Sequence, residues 1–214
     1  MSAPAVTVGF AGAGSTTVRT TEGSGSGPAP VRTVVAYGFW IFLLSDIIMF
    51  SALFATYAVL SGQTDGGPSG RDLFELHRVG VQTLCLLFSS YTCGLGILAL
   101  ERRHLRAFYV SCALTFALGA AFLGLEISEF AGMVARGAGP SRSAFLSSFF
   151  SLVGLHGAHV TAGLLWLCFM LAQTAVKGPR DFVRRRLLCF SLFWHALDII
   201  WVALMSLVYL MGAR

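Results

Sequence analysis

Five long apolar runs, at about residues 34–60, 79–100, 107–134, 145–175 and 187–212, decide what this chain can fold into. Each meets the roughly 20 residues that a helix needs to cross a hydrocarbon core about 30 Å thick. Helices are the expected spanning element, because isolated strands would leave backbone N–H and C=O groups unpaired in lipid. The fold class expected is an all-α membrane protein, a bundle of five transmembrane helices. Composition agrees: of 214 residues, 56% are hydrophobic and 12% charged. Soluble domains run at roughly 45–50% apolar and 25% charged. Mean hydropathy is +0.75.

What lies between the runs is short. Residues 1–33 are rich in Gly, Ser, Thr, Ala and Pro, a composition that buries too little surface to order itself, and they are expected to form a disordered cytoplasmic tail. The first apolar run starts too late and is too long for a signal peptide. Residues 34–214 then form one membrane domain. Gly66-Gly67-Pro68-Ser69-Gly70 and Gly137-Ala138-Gly139-Pro140 supply turn chemistry between helices. No segment is long enough for a soluble domain, and no internal repeat is visible.

The net charge of +5 does not point to nucleic acid, because the basic residues sit in the short connections, where they report orientation. One side collects Arg19, Arg32, Arg102, Arg103, Arg106, Lys177, Arg180, Arg184, Arg185 and Arg186; the other holds Arg71, Arg78, Arg136, Arg142 and Arg214. This bias predicts a cytoplasmic amino terminus and a periplasmic carboxy terminus. Arg184, Arg185 and Arg186, at the cytoplasmic start of the fifth helix, are also candidates for anionic lipid headgroups. The five cysteines show no CxxC spacing, so neither a disulfide framework nor a zinc ribbon is expected, and they read as small hydrophobes. Small residues four apart, Ala120 with Gly124 and Gly154 with Ala158 and Ala162, are expected where helices approach closely.

Seven ionisable residues fall inside the runs: Asp46, Glu126, Glu129, His156, His159, His195 and Asp198. Ionisable groups at membrane depth are expensive and mark functional or cohesive sites. Three helices carry pairs at three-residue spacing, which places both members on one helical face. Glu-x-x-Glu and His-x-x-His invite comparison with dinuclear metal sites built in bundles, but the Glu-x-x-His pairs of that arrangement are absent. Interhelical or lipid-headgroup pairing is the expected role of this polar seam, joining the third, fourth and fifth helices, with no metal bound. Proton conduction along it is a second possibility. GxSxG, HExxH, Walker and GxGxxG patterns are absent, so no catalytic residue is assigned.

The order and spacing of several motifs resemble a known family. They are Gly38-Phe39-Trp40-Ile41 leading to Ser45-Asp46, Phe54-Ala55-Thr56-Tyr57-Ala58-Val59-Leu60, Gly66-Gly67-Pro68, Phe74-Glu75-Leu76 and Leu87-Phe88-Ser89-Ser90. Further along come Glu126-Ile127-Ser128-Glu129-Phe130, Gly139-Pro140 through Phe145-Leu146-Ser147, His156-Gly157-Ala158-His159-Val160, Leu192-Phe193-Trp194-His195-Ala196-Leu197-Asp198 and Val208-Tyr209-Leu210-Met211-Gly212. Over residues 36 to 212 the chain resembles subunit III of the haem-copper terminal oxidases, in the five-helix form of the cytochrome bo-type ubiquinol oxidases.

The resemblance implies a multi-pass subunit of the bacterial inner membrane with no cofactor of its own. Haem and copper are then expected in a partner subunit I, and subunits I, II and IV and phospholipid are the expected partners. The complex would oxidise quinol, reduce dioxygen and pump protons. This chain would stabilise subunit I and its lipid environment and support proton uptake. Asp46 stands where longer family members carry a Glu after Ser, a carboxylate linked with lipid and proton behaviour. Two other readings are the equivalent partner of a cytochrome c oxidase or nitric oxide reductase, and an independent intramembrane metalloenzyme or proton carrier.

Overall fold

A computed structural model describes residues 31–63, 76–178 and 181–210. Of the expected tail over residues 1–33, residues 1–30 lie outside the described residues, as do the Gly66-Gly67-Pro68 turn and Arg71, Arg180 and Arg214, while residues 31–33 already belong to the first helix. Five helices appear as expected: α1 (Val31–Leu60), α2 (Leu76–Glu101), α3 (Leu105–Ala135), α4 (Ala144–Lys177) and α5 (Asp181–Leu204). All five are long and apolar enough to cross a membrane. A π-helical turn, Met205–Leu210, continues α5.

The helices outrun their apolar cores because a helix leaving hydrocarbon can continue through the polar interface. The largest extension is in α5, which starts six residues before the apolar run and carries Arg184, Arg185 and Arg186 on helix. Local chemistry sets the ends. Ser143 caps α4, its hydroxyl accepting the Leu146 N–H at 3.2 Å. After α3, Gly137 takes φ +76°, and the Gly137 and Ala138 N–H groups bond back to Val134 and Met133. That is a Schellman ending, which glycine adopts without steric cost. α2 closes the same way through Arg103, a non-glycine at φ 59°.

α2 and α3 form a closely packed antiparallel hairpin. α4 lies against α3, α5 and α1, and α5 against α4, α2 and α1. α2 to α5 thus form a closed bundle, with α1 leaning on the α4–α5 side. The Phe145 N–H bonds the Gln63 carbonyl at 3.2 Å, tying the end of α1 to the start of α4. The core is aromatic, with Trp194, Trp201, Tyr209, Phe122 and Phe149 among its largest fully buried side chains. The Trp201 and Phe122 rings meet edge to face at 4.6 Å, a preferred aromatic geometry.

Helix approach differs from the expectation. Ala120, Gly124, Ala158 and Ala162 are exposed on the bundle surface, and Gly154 meets only the Phe130 ring. The close approaches are at Gly119, Gly157 and Gly163. A Cβ at Gly163 would lie 2.7 Å from the Trp194 indole, and one at Gly119 would lie 3.0 Å from it. The reason is steric: a glycine is required where a bulky group on another helix fills the space of its Cβ, and spacing along one helix does not report that.

Candidate functional site

The polar residues of the bundle interior group along α2 and α5. The Trp194 indole N–H donates to the Ser89 hydroxyl at 2.7 Å, and the Trp201 N–H donates to the Thr83 hydroxyl at 3.0 Å. Beside the Ser89–Trp194 rung, His195 Nδ1 is 2.5 Å from the Ser90 hydroxyl. Numbers rise along α2 as they fall along α5, as antiparallel helices require. Ser90 also hydrogen-bonds the Asp198 carboxylate, whose Oδ1 has no partner. His195 and Asp198 therefore share one hydroxyl of α2.

A second group sits where α3 meets the end of α5. Glu126 and Glu129 are both buried. The Gln82 amide of α2 donates to Glu129 Oε2 at 3.2 Å. Tyr209, fully buried on the π-helical turn, lies beside Glu129. The Glu126 carboxyl lies over Gly157 of α4, so close that a Cβ there would be 2.5 Å from Oε1. The glycine of His156-Gly157-Ala158-His159 is thus needed to admit a carboxyl from another helix.

The two histidines of α4 divide. His156 is wholly buried in an aromatic box formed by Phe50, Phe122 and Trp201, with ring centroids 6.4, 5.8 and 5.2 Å away. Neither of its ring nitrogens has a hydrogen-bond partner. His159 is half-buried, and its Nδ1–H donates to the Leu155 carbonyl at 2.8 Å. Asp46 is half-buried on α1, between the buried Leu43 and Phe50 of the same face. The side-chain hydrogen bonds of Glu129 and His195 reach Gln82 and Ser90 of α2, a helix that carries none of the seven ionisable residues of the expected seam over the third, fourth and fifth helices. Gln82, Thr83, Ser89 and Ser90 do not stand out as ionisable residues do, because neutral polar residues cost little in an apolar run. Their heptad spacing, 82 with 89 and 83 with 90, is the signal that one stripe of α2 is polar.

Arg184 and Arg186 are tied down at the other end. Arg184 Nη2 reaches the Leu100 carbonyl at the end of α2, and Arg186 Nη1 reaches Gln173 of α4, each at 3.4 Å. Arg185 is half-buried. Of the five free cysteines, Cys93, Cys112 and Cys189 are buried, Cys85 is half-buried and Cys168 is exposed. Among the described residues, no three His, Cys, Asp or Glu side chains converge in a way that could hold a metal ion.

A groove of about 330 Å³ runs between α1 and α5, bounded by Trp40, Ile47 and Phe54 on one side and Leu192, His195 and Ala203 on the other. Its wall is apolar except at His195 and Ser51, and the Ser51 hydroxyl is occupied by the Ile47 carbonyl at 2.7 Å.

Known proteins resemble this chain over most of its length. A family profile described as "Cytochrome c oxidase subunit III" matches residues 15–213. "Cytochrome bo(3) ubiquinol oxidase subunit 3" of Pseudomonas aeruginosa is 52% identical over 177 residues, covering 83% of this chain and 85% of the relative. "Quinol oxidase subunit 3" of Bacillus subtilis is 43% identical over 175 residues, 82% of this chain and 86% of the relative. A Buchnera aphidicola relative, also named as a cytochrome bo(3) ubiquinol oxidase subunit 3, is 41% identical over 175 residues, 82% of this chain and 90% of its own. An all-helical multi-pass bundle with its polar residues bonded between helices accords with membership of an oxidase complex. The chain belongs to the cytochrome c oxidase subunit III family of the haem-copper oxidases.

Proposed function

We propose that this chain is the accessory subunit III of a proton-pumping terminal ubiquinol oxidase in an aerobic respiratory chain. The observation that carries the reading is the likeness, over more than four fifths of the chain, to subunits named for ubiquinol and quinol oxidases. It sits in the bacterial inner membrane with the amino terminus cytoplasmic and the carboxy terminus periplasmic, as the distribution of Lys and Arg favours. Its partners are subunits I, II and IV and phospholipid. Haem and copper reside in subunit I, and this chain carries no catalytic centre.

Its task is to stabilise subunit I and the lipid around it and to support proton uptake. The polar seam of Glu126, Glu129, His156, His159, His195 and Asp198 serves cohesion, since interhelical hydrogen bonds hold membrane bundles in the absence of a hydrophobic drive between helices. Asp46, on the loosely held first helix, is placed for contact with lipid or with the proton-uptake side of the complex. Arg185, with Arg184 and Arg186 beside it, is placed for an anionic headgroup. Affinity purification through a tag on this chain tests the assignment. Copurification of a haem spectrum with quinol-dependent oxygen consumption is expected; no haem partner would overturn it. Preference for cytochrome c as donor would favour the cytochrome c oxidase reading instead.

A further inference from the structure

We propose that the groove between α1 and α5 is a binding site for a hydroquinone with an apolar tail, its ring hydroxyl bonded to Nε2 of His195. This rests on the reading of the chain as a quinol oxidase subunit for the supply of such a ligand, and on the following geometry for the site. The groove holds about 330 Å³ and is lined by α1 from Trp40 to Phe54 and by α5 from Leu192 to Ala203. His195 lies near the centre of the apolar span Val183–Tyr209, about 20 Å from either end at roughly 1.5 Å per residue. A phospholipid filling the groove would present only hydrocarbon at that depth. The imidazole would then be left with an unpaired nitrogen, since Nδ1 is engaged by Ser90 at 2.5 Å. An unsatisfied polar atom in such surroundings is unfavourable.

The network behind the ring specifies the ligand further. Ser90 has one hydroxyl proton and two neighbours, His195 and Asp198. When Ser90 donates to the Asp198 carboxylate, Nδ1–H of His195 donates to Ser90 and Nε2 is left as an acceptor. When Asp198 carries a proton and donates to Ser90, Ser90 donates to Nδ1 and Nε2–H is a donor. A hydroquinone hydroxyl both donates and accepts, so it matches either arrangement; a quinone carbonyl matches only the second. The remaining wall is apolar or aromatic, suited to a ring and an isoprenoid tail, and Ile199, 71% exposed, borders an opening toward lipid. Apart from His195, the titratable side chains nearest along the lining helices are Asp198, beside Ile199, and Asp46, beside Ile47.

The test uses the intact complex, purified through this chain into nanodiscs of defined phosphatidylethanolamine and phosphatidylglycerol, with an azido-hydroquinone bearing a short isoprenoid tail as photoprobe. Expected are adducts on peptides spanning residues 40–54 and 192–203, displaced by excess decyl-hydroquinone and not by added phospholipid. Ala203→Trp, which fills the groove, is expected to lower labelling of these peptides at least tenfold. His195→Leu is expected to lower it at least threefold, with His195→Gln restoring part of the loss. Thermal melting of each variant complex reports folding; should His195→Leu fail to assemble, Ala203→Trp decides alone. No adduct on this chain, labelling indifferent to both variants, or displacement by phospholipid, which would mark an acyl-chain groove, overturns the proposal. The presence of haem in the purified complex is read separately, so failure of the oxidase assignment and failure of the site are distinguished.

Discussion

α1 and α5 are nearly matched as sequences and opposite in the fold. Their most apolar windows have mean hydropathies of 2.0 and 1.9, yet 11% of the first and 61% of the second is buried inside the bundle. α1 buries Leu43, Phe50 and Tyr57, one residue every two turns. α5 buries Leu187, Phe190, Trp194, Leu197, Trp201 and Leu204, a continuous stripe at helical spacing. Hydropathy reports the solvent a helix lies in. It says nothing of helix neighbours, because lipid tails are as apolar as a packed side chain. What sets α5 apart is its polar groups, the two indole N–H donors and the His195 imidazole, each with a partner on α2.

Substitutions on the two helices should therefore differ in cost. Trp201→Ala empties the centre of the aromatic core and leaves the Thr83 hydroxyl without its donor; a loss of about 3–5 kcal/mol is expected in reversible unfolding in mixed micelles. A loss below about 1 kcal/mol would erase the contrast. Ser90→Ala removes the shared partner of His195 and Asp198. The measured range for interhelical hydrogen bonds in membranes predicts about 0.6 kcal/mol and at most about 1.7.

On α1 the effects shrink. Tyr57 holds the Val208 carbonyl of the π-helical turn at 3.4 Å, a long hydrogen bond across the α1–α5 contact. Tyr57→Phe should destabilise by about 0.5 kcal/mol or less, and a larger effect would show that α1 is anchored more firmly than its burial suggests. Ile48→Ala, at a position 70% exposed, should leave the stability of the isolated subunit within about 0.5 kcal/mol. If the same change lowers the yield of assembled complex several-fold on affinity purification, the outer face of α1 is a contact with another subunit and its low burial here reflects that missing neighbour.

Much of the site was readable and some was not. His195 and Asp198 stand out because ionisable groups are rare at membrane depth, and their three-residue spacing correctly puts both on one face. Their partner is harder to read, since Ser90 is one of several serines in apolar runs and only its heptad spacing from Thr83 sets it apart. Ala120 and Gly124 look like a packing motif and face outward, while Gly157, between two histidines, is where Glu126 enters. Glu126 and Glu129 share a helical face, but they part in their contacts: Glu129 accepts a hydrogen bond from Gln82 of α2, while Glu126 lies over Gly157 of α4.

The sequence by itself determined five spanning helices, their approximate ends and the residues that would need partners, because each follows from the cost of exposing backbone or charge to hydrocarbon within a single segment. Tertiary structure alone decided which helix supplies each partner, which glycines are obligatory and which helix stands at the edge. Those depend on distances between segments far apart in the chain, and a medium as apolar as the core leaves no hydrophobic pattern along any one helix to record them.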